Sequence, residues 1–144
     1  MGKLLKTGRI VIVLAGRMAG KKGIVVSCND SGTDKRPFGH CLIAGVEKAP
    51  LKITNKMGKK KVEKRSRVKP FLRYINVNHL MVTRYSAATE VDCKNLVTDV
   101  QMEDRAAAKK SVKTIFQERF SRPVNEKSGK VVKDLLFLRK KLRF

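Results

Sequence analysis

A chain of 144 residues with 34 Lys and Arg against 12 Asp and Glu carries a formal charge of +22. That charge makes a compact monomer repel itself and calls for a polyanionic partner, nucleic acid first and an anionic membrane second. The length suits one domain, or one small domain with an appendage. No stretch offers the ~18 apolar residues of a membrane span, and the N-terminus lacks an apolar signal core with a cleavage site, so a cytosolic or nuclear protein is expected.

Arg9 to Leu14 and Gly23 to Cys28 are apolar runs bounded by glycine, the pattern of short buried strands in a small barrel or sandwich. Between them, "LAGRMAGKKGIVVS" (residues 14–27) raises the question of a nucleotide loop. Such a loop needs glycine, four residues and then Gly-Lys-Ser/Thr, followed by a helix. Here only three residues separate Gly16 from Gly20, Lys22 stands where a hydroxyl is required, and a β-branched run follows. What remains is a tight strand-to-strand connection. Gly16, Gly20 and Gly23 would adopt backbone conformations closed to other residues, and Arg17, Lys21 and Lys22 would lay charge against a phosphate chain.

The segment "NDSGTDKRP" (residues 29–37) is a turn by composition. Phe38 to Val46, Lys52 to Asn55 and Phe71 to Asn76 then predict three further strands, giving five in a closed or partly closed barrel. The stretch 56–73 is the most charged: Lys56, Lys59, Lys60, Lys61, Lys64, Arg65, Arg67, Lys69 and Arg73 are offset only by Glu63. It is expected to be a loop, over 56–70, disordered by self-repulsion until phosphates order it.

Residues 86–102 form a less basic connection. A helix is predicted near 103–121, where Ala108, Val112, Ile115, Phe116 and Phe120 recur at spacings of three and four. Glu103 and Asp104 suit its N-terminal end, Arg119 its C-terminal end, and Pro123 stops it. Whether the stripe packs on the barrel or on a partner is left open by the pattern. A second helix is predicted near 130–142, with Val131, Val132, Leu135, Leu136, Leu138 and Leu142 mixed among basic residues. It reads either as an amphipathic helix on the domain or as an anchor set into RNA or a neighbour. The anchor is favoured, since Lys140, Lys141, Arg143 and the terminal Phe144 combine phosphate and stacking contacts.

Cys28, Cys41 and Cys93 are odd in number and form no C-x-x-C pair, which suggests neither a disulfide framework nor a zinc site. His40 and His79 are expected to be satisfied or surface side chains, and Asn29-Asp30-Ser31 a chance glycosylation match. The two histidines lie in different segments, the acids are scattered, and no Ser, Cys or Lys sits in a nucleophile motif, so no enzyme is expected.

"GRIVIVLAGRMAGKKGIVV" resembles the KOW motif of ribosomal and transcription-elongation proteins. The longer run "MGKKKVEKRSRVKPFLRYINVNHLMVTRYS" (residues 57–86) resembles the eukaryotic large-subunit ribosomal proteins of the e-type family twenty-seven, as do "MGKLLKTGRIVIVLAGR", "RPFGHCLIAGVEKAP" and the terminal "KLRF". The resemblance covers residues 1–86 and returns at 112–120 and 141–144.

It implies a mainly β fold: a KOW-containing SH3-like barrel over residues 1–86 with a helical extension over 87–144. It also implies a place in the large subunit of the cytoplasmic ribosome, with nucleolar passage during assembly, held by ribosomal RNA and neighbouring large-subunit proteins. No catalytic role, cofactor, metal, membrane, small-molecule substrate or homo-oligomer is implied. By match, Gly16, Arg17, Gly20, Lys21, Lys22 and Gly23 are the KOW loop, and Lys59, Lys60, Lys61, Lys64, Arg65 and Arg67 the basic segment. Asn76, Asn78, His79, Arg84 and Tyr85 match the Asn-His and Thr-Arg-Tyr segments, with His79, Tyr85 and Phe144 as candidates to stack on unpaired bases. The chain departs from the family in Val82 where proline is usual, in lacking an Asp-Pro helix start near 104, and in "DLLFLRKKLRF" in place of a tryptophan-containing tail. The alternative reading is a free-standing KOW regulator of transcription or RNA processing.

Overall fold

A computed structural model describes residues 4–88, 91, 105–122 and 132–143. The two glycine-bounded apolar runs form β1 (Arg9–Val13) and β2 (Lys22–Asn29), paired antiparallel with Ile10 opposite Ile24. β3 (His40–Lys48) pairs with β2, β4 (Lys69–Asn76) with β3, and β5 (Leu80–Ser86) returns to β1. The sheet order is β4-β3-β2-β1-β5, antiparallel throughout.

β4 and β5 occupy opposite edges, yet only the single 3-10 turn Val77–His79 separates them. In a flat sheet five strands set the edges about 19 Å apart. Four residue steps reach about 14 Å at most. The sheet must therefore roll up, and a small barrel-like body results.

Five strands are expected from the sequence and five form, with one exchange of membership. Residues 52–55 are not a strand. The Ala49-Pro50 break ends β3, and the following backbone is claimed elsewhere: Leu51 N donates to Arg65 O at 2.8 Å and Arg65 Nε to Lys52 O at 2.9 Å. Leu80–Ser86 takes the missing place. Its Thr83 hydroxyl donates to Ile10 O at 2.6 Å, so a polar side chain ties this strand to β1.

The stretch 56–70 is likewise not a disordered loop, because Lys59–Ser66 forms helix α1. Lys, Glu and Arg are good helix formers. Glu63 and Arg67 pair one turn apart at 3.3 Å, and the buried Val68 anchors the exit into β4.

Alternate residues of the strands face two different apolar clusters. Val11, Val13, Val25, Cys41, Ile43, Phe71 and Leu80 fill one. Ile10, Ile24, Val26, Leu42, Ala44 and Leu72 belong to the other, and the C-terminal helices cover them. Space inside the first cluster is made by Gly45 of β3, where a Cβ would overlap the Phe71 ring. Gly23, its cross-strand partner in β2, plays the same part against Ile43. Gly23 is thus a packing glycine and shows no positive φ.

Helix α2 (Arg105–Ser121) lies against β4 and buries Val112, Phe116 and Phe120, one stripe at four-residue spacing. Its partner is therefore the barrel, and full burial of one such ring stabilises by about 1.5–3 kcal/mol. Helix α3 (Lys133–Arg139) buries Leu135 and Leu138 in the same cluster, touching α2 and β5. The helix body is thus docked on the domain rather than free as an anchor. Glu103, Asp104, Pro123 and Phe144 lie outside the described residues.

Two of the three cysteines meet, although their spacing suggests no disulfide framework, and Cys93 lies outside the described residues. A bulge between Val25 and Ser27 of β2 brings Cys28 directly opposite Cys41, with Cα atoms 4.1 Å apart and the sulfurs joined. Strand register, which residue spacing does not display, creates the pair. His40 is 4% exposed with Nδ1 2.9 Å from Phe38 O, a satisfied core histidine as expected.

Candidate nucleic-acid interface

The β1–β2 connection is a braced loop. Gly16 and Gly20 have φ of +85° and +74°, where a Cβ would strain the backbone. Gly20 N donates to Val13 O at 2.7 Å, Ala19 N to Gly16 O at 3.0 Å and Lys21 N to Met18 O at 3.1 Å. Met18, 7% exposed, plugs the loop into the interior cluster. This leaves Arg17 exposed and Lys21 half-buried, and the chain passes directly into β2 with no helix to open a nucleotide loop.

Lys22 does not join them at the surface. It is 6% exposed, and its Nζ donates to Phe137 O at 2.8 Å and to Lys140 O at 2.9 Å while lying 3.8 Å from the Phe137 ring centroid. These carbonyls end α3, where they lack intrahelical donors and the helix dipole is negative. Burial first, then the nearby Lys140, hold the Lys22 ammonium below its ordinary pKa. The charge that the sequence reading offers to phosphate is committed inside the protein.

Tyr85 is similarly engaged. Its ring stacks on Phe137 at 4.2 Å and 21°, and Arg84 Nη2 donates to its hydroxyl at 3.1 Å. Phe137 is therefore covered on one face by Tyr85 and on the other by Lys22. In the β4–β5 link, Asn76 Oδ1 accepts from Asn78 N at 2.9 Å and caps the 3-10 turn. His79 is exposed, and its carbonyl accepts from Leu14 N at 2.9 Å, tying this link to the hairpin.

The basic segment divides by role. Lys59, Lys60, Lys61 and Lys64 stand exposed on α1, which buries no residue, and Lys56 is exposed just before it. Arg67 pairs with Glu63, and Lys69 donates to Glu47 at 2.9 Å. Arg65 is spent on the Lys52 carbonyl and so fixes α1 against the 50–58 connection.

The tail returns to the hairpin. Gly20, Lys21, Lys140 and Lys141 line a depression of about 130 Å³ over Val46 and Leu138. A wider one of about 860 Å³ follows between the 49–52 segment and the tail, where Lys52, Arg139, Lys140 and Arg143 surround Leu51 and Leu142. Lys21, Lys140, Lys141 and Arg143, distant in sequence, thus share one basic groove. Arg139, of the same basic run as Lys140 and Lys141, joins them, as does Lys52, which no local sequence pattern marks, because only the docking of α3 creates the groove.

Among the described residues, no group of three or more His, Cys, Asp or Glu is placed to hold a metal, and no helix is long and apolar enough to cross a membrane. The model of the ribosomal L27e protein family matches residues 10–141. The chain is 46% identical, over an alignment of 148 residues covering all of both proteins, to the large ribosomal subunit protein eL27 of Tetrahymena thermophila. It is 50% identical over 124 residues to large ribosomal subunit protein eL27B of Schizosaccharomyces pombe, covering 83% of this chain and 90% of that one. For eL27B of Saccharomyces cerevisiae the identity is 44% over 128 residues, covering 88% and 94%. With a match that runs from β1 through both C-terminal helices into the basic tail, the chain belongs to the ribosomal L27e protein family.

Proposed function

We propose that the protein is a structural constituent of the large subunit of the cytosolic ribosome, where it holds ribosomal RNA and packs against neighbouring ribosomal proteins, without a catalytic step. The observation that carries this reading is family membership over nearly the whole chain, with relatives named for that subunit. The barrel of residues 1–86 supplies the body and residues 87–144 the extension.

Recognition is electrostatic and by shape. The exposed cations of α1, together with Lys56, Arg17, Lys21, Lys140, Lys141 and Arg143, contact phosphates and release counterions. Arg84, the exposed His79 ring and the terminal Phe144 add phosphate or stacking contacts. Lys22, Arg65 and Tyr85 act indirectly, by holding the tail and α1 in place. The protein is not a homo-oligomer, passes through the nucleolus and nucleus during assembly, and takes no small-molecule substrate.

The test is sedimentation of tagged protein from lysate at low and moderately high salt, beside a Lys59→Glu, Lys60→Glu, Lys61→Glu variant. Wild-type protein is expected with large-subunit and polysome fractions at both salts, and the variant in light fractions. Wild-type protein in light fractions throughout would sink this reading and promote a free KOW regulator.

A further inference from the structure

We propose that the cleft between the β1–β2 hairpin, β4 and the start of α2 binds backbone phosphates of ribosomal RNA and extends the tail groove into one cationic track. The proposal rests on the RNA-binding reading above and gives it a site, one that joins Arg17 of the KOW loop and the end of the basic stretch to the start of α2.

Three elements distant in sequence converge there. Arg17 comes from the hairpin, Lys69 and Arg73 from β4, and Arg105 and Lys109 from α2, around a cleft of about 470 Å³. Among the described residues Glu47 is the one carboxylate lining it, and that group is already taken by Lys69 at 2.9 Å. Arg105 is partly committed as well, since its Nη2 donates to Leu72 O at 2.9 Å and anchors α2 to β4. Among the described residues, Arg17, Arg73 and Lys109 make no ion pair. The field of Arg17 and Lys109 is felt by Glu47, whose carboxyl is held below its ordinary pKa by the Lys69 hydrogen bond and by the charges of Lys69, Lys109 and Arg17.

The cleft does not stand alone. Glu47 lines both it and the hairpin–tail depression, and Lys140 and Lys141 line both that depression and the wider groove beside residues 49–52. Neighbouring depressions thus share lining residues, and the cations from Lys109 to Arg143 are interrupted only at the joint between the cleft and the hairpin–tail depression, where Glu47 stands. One anion would fill one depression, whereas a polyanionic chain can occupy all three. Guanidinium forks at Arg17 and Arg73 suit phosphate oxygens, which accept two parallel hydrogen bonds. Phosphate binding would also draw Lys69 away from Glu47.

Full-length protein is titrated with deproteinised large-subunit ribosomal RNA across a potassium chloride series. Two variants are compared with wild type: Arg17→Gln, Arg73→Gln, Lys109→Gln together, and Glu47→Gln alone. Loss of three phosphate contacts is expected to make the log-log salt slope shallower by about 2 to 3. Removing the competing carboxylate is expected to tighten binding about twofold to fivefold, the range of one exposed charge interaction. That gain is a result misfolding cannot mimic. A triple variant with the wild-type slope and affinity, or a Glu47→Gln variant that binds no tighter, overturns the cleft while the wild-type slope keeps the broader reading. Wild-type protein without salt-dependent binding overturns both. Unchanged RNA binding together with failure to join the subunit assigns the cleft to an acidic segment of a neighbouring protein, and so also overturns it.

Discussion

Lys22 and Phe137, 115 residues apart, meet as cation and ring at 3.8 Å, and the same ammonium donates to the Phe137 carbonyl. The contact fastens the last helix to the first hairpin. A lysine in the loop most suggestive of phosphate binding therefore serves as the clamp that builds the tail side of the groove.

Lys22→Met keeps the aliphatic stem but leaves the carbonyls at the end of α3 without their donor. The expected cost is about 2 kcal/mol, the scale of hydrogen bonds to a charged group, read from urea denaturation. Hydrogen exchange at the Leu136 and Lys140 amides, which close the turns of α3, should accelerate beyond the global change. Uniform exchange across the protein would contradict the clamp.

Phe116 is fully buried, with its ring 5.4 Å from that of Phe120. Phe116→Ala should cost about 3–5 kcal/mol, as large-to-small changes in a core do. A variant of near wild-type stability that fails to enter its assembly would instead make this stripe an interface.

Two glycines should respond differently to alanine. At Gly45 the added methyl meets the Phe71 ring and the Lys22 carbonyl, an overpacking expected to cost about 1–3 kcal/mol and to disturb the barrel interior. At Gly16 there is open space but a φ of +85°, so only backbone strain of about 1–2 kcal/mol is expected. Methyl NMR shifts around Phe71 separate the two, moving for Gly45→Ala and staying still for Gly16→Ala.

Glu47 sets an acid limit. Its carboxyl is held below the ordinary value of 4.5, chiefly by the Lys69 hydrogen bond. A depressed folded-state pKa contributes stability above the unfolded value and loses it as pH falls through the folded one. The advantage of wild type over Glu47→Gln should therefore be complete above about 4.5 and vanish at lower pH, which thermal melts at stepped pH would follow. A difference that persists under strong acid would assign the effect to packing.

The strands legible in the sequence are those whose apolar runs are buried on both faces, as in "RIVIV" and "CLIAGV". Leu80–Ser86 escapes that reading because Met81 is 47% exposed and Thr83 and Arg84 interrupt the run. The 52–55 segment misleads in the opposite way, since its Ile53 is 37% exposed. Helix α1 was hidden by its own charge: net repulsion over 56–73 outweighs, on paper, the good helix propensity of its residues. The stripe of α2 is plain at its four-residue period, but its partner is not, because packing on β4 is a long-range event. For the same reason the sequence shows which residues are basic and not which way they point. Lys21 and Lys22 are neighbours in the chain, yet Lys21 is only half-buried while Lys22 is 6% exposed with its ammonium bonded to carbonyls at the end of α3.

The outer face of the barrel, with Ile10, Ile24, Leu42, Ala44 and Leu72, is covered by helices near the end of the chain. During synthesis those strands emerge before the residues that roof them. Until α2 and α3 arrive, the nascent protein presents a wide apolar surface together with a strong positive charge, a combination open to aggregation and to unselective capture by nucleic acid. The order of translation therefore gives the newborn chain a vulnerable interval that the finished fold conceals.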